Sequence, residues 1–105
     1  MKSAAALVEE CLRSQEPARL QTTLMLIPDK VCAVAFAALD DARRRPLYAL
    51  LGGTKAARIR EEILLEARRR TTPLVRARIL RSFLSYFRAA RKSAPTIWIR
   101  PQRSR

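Results

Sequence analysis

The chain has 105 residues, one domain's worth, and its 22 Lys and Arg against 9 Asp and Glu give a formal net charge of +13. Hydrophobic residues make up 49%, which excludes a wholly disordered polycation. With only 2 glycines and no sustained heptad, collagenous and coiled-coil structures are excluded too. Histidine is absent, and with it go Ser-His-Asp and Cys-His catalysis and every histidine metal site.

The elements read as helices, one after another. Ser3 caps a first helix to about Ser14, with Leu7, Val8, Cys11 and Leu12 as its apolar stripe. Pro17 opens a second at its first turn, with Leu20, Leu24 and Ile27 facing inward. Pro28 and Asp29 end it and start a third, whose Val31 to Leu39 stretch is apolar on nearly every side and is therefore expected at the centre. Asp40 or Asp41 caps the fourth, and Pro46 predicts a bent start before Leu47 to Leu51. Gly52 and Gly53 follow where a helix end needs a positive φ. Thr54 then caps a fifth helix to about Arg70, carrying Ala56, Ile59, Ile63 and Ala67 on one face and pairing Glu66 with Arg70. Thr72 and Pro73 restart the chain as a sixth helix ending near Arg91, whose apolar band of Val75, Ile79, Leu80, Phe83, Leu84, Tyr86 and Phe87 covers more than half its circumference. From Ser93, two prolines and a run of arginines predict an extended basic tail, so the organisation is a helical domain over 1–92 and a flexible tail over 93–105.

Charge is divided along the chain. Residues 1–40 carry four basic and five acidic groups, residues 41–105 carry eighteen and four, and no acid follows Glu66. A near-neutral packed half is thus joined to a half that meets something anionic. Cys11 and Cys32 lie in apolar surroundings without CxxC spacing and read as reduced, buried thiols. The N-terminal apolar run ends at Glu9 after five residues, and no stretch approaches a membrane span, which predicts a soluble, cytoplasmic protein with no membrane insertion.

Set against itself at an offset of 24, the segment from Ile27 to Leu39 matches that from Leu51 to Ile63. Each has an apolar residue, a two-residue breaker, a cap, small residues at Cys32 and Ala33 or Ala56 and Ala57, and apolar residues that close the helix. A weaker third copy runs from Leu74 to Phe83. The pattern resembles the armadillo-like repeats of the flagellar motor switch protein FliG and of the N-terminal domain of MgtE-type magnesium transporters. The positions that carry the likeness are Ile27, Pro28, Val31, Cys32, Ala33, Ala35, Phe36 and Leu39, then Leu51, Ala56, Ala57, Ile59 and Ile63. The resemblance implies an all-α fold, a short right-handed solenoid of five to six helices, and a non-catalytic role in protein–protein contact. It points to a bacterial flagellar rotor, at the periphery of the inner membrane. The Glu-His-Pro-Gln partner sequence of FliG is missing, and the chain is basic where the transporter domain presents acids to magnesium.

As an enzyme the sequence offers little. Glu61, Glu62 and Glu66 are interleaved with arginines, which spoils them as general acids, and Gly52-Gly53-Thr54-Lys55 lacks the spacing of a phosphate loop. No catalytic residue, metal or cofactor is assigned. The mixed charges of Lys55, Arg58, Glu61, Glu62, Glu66, Arg68 and Arg69 read as a solvated helix face. On the sixth helix Arg78, Arg81, Arg88 and Lys92 share the face opposite Val75, Ile79, Phe83 and Phe87. Candidate partner-binding residues are therefore Arg78, Arg81, Tyr86, Phe87, Arg88, Lys92, Trp98 and Arg100. Trp98 either anchors the tail on a partner or folds back on the chain's own apolar surface. The alternative function is nonspecific nucleic-acid binding through the arginine stripe and tail.

Overall fold

The computed structural model describes residues 3–69 and 71–99, with side chains as far as Ala89. Among these residues there are six helices and no strand: α1 (Ala4–Arg13), α2 (Pro17–Leu26), α3 (Asp29–Ala37), α4 (Asp41–Leu51), α5 (Gly53–Arg69) and α6 (Pro73–Ile99). The all-α expectation holds, and most boundaries fall where capping chemistry puts them. Ser3 accepts from the Ala6 N–H, Asp40 Oδ1 from the Arg43 N–H and Thr72 Oγ1 from the Val75 N–H, each capping an N–H of a helix's first turn.

Three expectations are corrected. Helix α4 runs unbroken from Asp41 with Pro46 inside it; a proline there removes one backbone hydrogen bond but need not end a helix whose other face is packed. Helix α5 starts at Gly53, one residue before the expected cap at Thr54, with Ala56 N–H bonded to Gly52 O. Helix α6 reaches Ile99, so the helical backbone continues through Ser93 and Pro95, where an extended tail was expected.

The core is built around α3, which packs against α1, α5 and α6. Cys32, Ala33, Val34, Ala35 and Phe36 are buried in succession, as an all-round apolar helix requires. Val8 of α1, Leu20 and Leu24 of α2, Leu47 and Leu51 of α4, Ile59 of α5 and Leu80, Phe83 and Phe87 of α6 complete one cluster with it. The repeated small residues behave as their neighbours dictate. Cys32 and Ala56 are both buried, but Ala33 is buried while its counterpart Ala57 is exposed. Helix α3 has partners on several sides, whereas the Ala57 side of α5 faces solvent. Helix α6 also packs on α1 and α2, so the last helix touches the first two.

Two long side chains cap the carbonyl ends of other helices. Arg44 Nε donates to Phe36 O at 2.8 Å and its terminal nitrogen to Ala37 O at 3.4 Å, bringing a cation to the carbonyl end of α3. Gln21 Nε2 donates to Leu50 O at the end of α4 at 2.8 Å. Gly52 has φ +86° and ψ 170°, a region that is nearly glycine-only. No atom stands within 4 Å of an added Cβ at Gly52 or Gly53. Gly52→Ala is therefore expected to cost about 1–3 kcal/mol from backbone strain alone. Gly53→Ala, in the first turn of α5, is expected to gain roughly 0.5–1 kcal/mol. Urea unfolding of the two variants checks the opposite signs.

Candidate functional site

Helix α6 carries the residues singled out for partner contact, and the structure divides them. Arg78, Arg81 and Arg88 are exposed, on the side of the helix away from the buried Leu80, Phe83 and Phe87. No ion pair forms at these three arginines among the described residues, and α6 contains no acid to supply one. Tyr86 is half-buried. Phe87 is corrected: at 1% exposure it belongs to the core, its ring 5.2 Å from that of Phe83, and it presents nothing to a partner. Most of the wide apolar band of α6 is spent on burial against several helices at once, while Val75 at its start stays exposed. The side chains of Lys92 and Trp98, and Arg100 altogether, lie outside the described residues.

Two recesses open at the surface of the described residues, one of them beside α6. One of about 360 Å³ lies between α5 and α6, lined by Ile63, Glu66 and Ala67 of α5, Arg76 and Leu80 of α6, Val34, Ala37 and Ala38 at the end of α3, and Ala4 of α1. Glu66 is held at its edge by Thr71 Oγ1, which donates at 2.6 Å, and by Arg69 at 3.4 Å. Arg69 also reaches Glu62 at 3.8 Å. The expected partner of Glu66, Arg70, lies outside the described residues. The other, about 410 Å³ and shallow, sits where α4 meets α5 between Arg45 and Arg60, with the Arg60 guanidinium 4.5 Å from the centre of the Tyr48 ring. Burial is the main cause that pushes the Tyr48 hydroxyl above its ordinary pKa, against the opposing pull of Arg44 and Arg60.

Comparison with protein-family models finds no match, and neither the curated proteins nor the solved structures offer one. The reading of the site rests on its own chemistry.

One charged cluster was misread from the sequence. Lys55 is no part of a solvated face: it is 6% exposed, with Nζ 2.8 Å from Asp29 Oδ1 and donating to Ile27 O at 2.7 Å. Arg58 Nε meets the other Asp29 oxygen at 2.9 Å. Hydrogen bonding from Lys55, the largest cause, holds the Asp29 carboxyl below its ordinary value despite desolvation. The cluster joins the end of α2 and the start of α3 to α5, and its charges are consumed in doing so. The signal was available in outline: a lysine four residues before Ile59 stands on the same face as Ala56 and Ile59. Cys32, nearby and fully buried, has its thiol pushed up to about 12, chiefly by burial, so it stays protonated and unreactive. Among the described residues no three potential metal ligands gather, and no described helix is long and apolar enough to cross a membrane.

Proposed function

We propose that the chain is a non-catalytic protein-interaction module of the armadillo-like kind. It resembles a segment of FliG, and the bacterial flagellar rotor is the assembly that this resemblance suggests. The observation that carries the reading is α6. One side of it is committed to the core through Leu80, Phe83 and Phe87, and the other presents Arg78, Arg81 and Arg88, which form no ion pair among the described residues. A face of that kind is electrostatically incomplete and attracts an anionic surface. The successive α2–α3 and α4–α5 units, with Cys32 and Ala56 buried at matching positions, support the armadillo-like reading.

The same arginine stripe favours a second reading, nonspecific nucleic-acid binding, since phosphate contact needs only positive charge at the surface. The two differ in salt dependence. As a protein-interaction module, the chain is expected to bind duplex DNA and RNA only weakly at about 0.15 M salt, with no preference between them. Micromolar binding that persists near that salt, falls tenfold or more with a few-fold salt increase, and disappears in an Arg78→Ser, Arg81→Ser, Arg88→Ser variant would overturn that in favour of nucleic acid. Fluorescence anisotropy on the full chain reads both outcomes.

A further inference from the structure

The recess between α5 and α6 is an apolar groove that the described residues leave open. Its floor is the last turn of the central helix, where Ala37 is exposed although the preceding five residues are buried. Its walls are Ile63 and Ala67 on one side and Leu80 on the other. Leu64, Leu74 and Val75, three of the exposed large apolar residues, belong to the same two helix segments, at 68%, 65% and 39% exposure. Small floor residues between two helices allow a third helix to approach closely, and about 360 Å³ is within the range of sites that bury a ligand.

We propose that this groove receives an acidic amphipathic helix of a partner protein, its apolar side chains on Ala37, Ala38, Ile63 and Leu80 and its carboxylates toward Arg68, Arg69 and Arg76. The inference rests on the interaction-module reading and names the partner's chemistry. Charge complementarity selects it. The one carboxylate lining the groove, Glu66, is already engaged by Thr71 and Arg69, and the chain has no acid beyond it. Arg76 lines the opposite wall, its guanidinium donating to Thr71 O at 3.0 Å, and Arg68 and Arg69 end α5. A second copy is disfavoured, because each carries +13. The chain's own Ile97-Trp98-Ile99 is carried away by the helix, about 28 Å along α6 from Leu80 to Ile99.

The test is a fluorescence-anisotropy titration of the full chain with a labelled peptide of about 18 residues, leucines at helical i, i+3, i+4 and i+7 positions and glutamate on the remaining face. A peptide of the same composition, scrambled so that its leucines share no face, is the comparator. At roughly 0.15 M salt the amphipathic peptide is expected to bind at least tenfold more tightly than the scrambled one. Ala67→Trp, which fills the groove from an exposed wall position, and Ala37→Glu, which places a carboxylate on its floor, should each lose at least tenfold while melting within a few degrees of the parent. Arg78→Ser, on the outer side of α6, should change binding less than threefold. Equal affinity for the scrambled peptide, no binding of the amphipathic one, or unchanged binding in a folded groove variant overturns the proposal. A partner retained by Ala67→Trp but lost with Arg78, Arg81 and Arg88 would sink the groove and leave the interaction-module reading standing.

Discussion

Phe36→Ala is expected to cost about 3–5 kcal/mol and to lower the melting temperature by roughly 12–40 °C at about 4–8 °C per kcal/mol. Phe36 is fully buried in α3, its ring 6.0 Å from that of Tyr48 in α4, and it sits in the cluster to which all six helices contribute. Removing the ring leaves a void whose walls belong to separate helices, so no single element can move in to fill it. Phe36→Leu should retain most of the stability, which separates cavity formation from any special need for an aromatic ring. Calorimetry of the two variants is the check, and a loss below about 1 kcal/mol for alanine would contradict a core centred on α3.

The second large effect is expected at Asp29. Asp29→Ala leaves the Lys55 ammonium buried with only Ile27 O as an acceptor, an uncompensated charge expected to cost about 2–3 kcal/mol. Lys55→Met should cost less, because Asp29 keeps Arg58 and is partly exposed, and methionine fills the same apolar path. The pH dependence follows from the lowered carboxyl of Asp29. The native state holds its proton less firmly than the unfolded chain does. The contribution is therefore full above the ordinary aspartate value of 3.8 and is lost as the pH falls through that value toward the lower native one. Urea midpoints measured from neutral pH down to about pH 3 should fall more steeply in the parent than in Asp29→Asn.

Helix ends were legible because they are local chemistry: Ser3, Pro17, Asp40, Gly52 and Thr72 act within one turn of the chain. The central place of α3 was legible for a different reason, since only burial on all sides tolerates apolar residues on all sides. Pro46 and Pro95 misled because proline is a penalty and not a prohibition, and the surroundings that decide between them are tertiary. Phe87 was assigned to a partner because the apolar band of α6 is wider than one neighbour needs. The missing fact was that α6 packs on α1 and α2 as well as on α3. The pairing of Lys55 is not legible in the sequence, because its acceptors lie at positions 27 and 29 and no spacing within α5 announces them. The groove was invisible for the same reason, being formed by pieces of four helices, each ordinary alone.

Affinity capture on the immobilised full chain, from nuclease-treated extract at roughly 0.15 M salt, tests the interaction-module reading most directly. A discrete protein is expected to remain bound to the parent after nuclease treatment and to be lost from the Arg78→Ser, Arg81→Ser, Arg88→Ser variant. Capture that vanishes with nuclease, or that is identical on parent and variant, would contradict it.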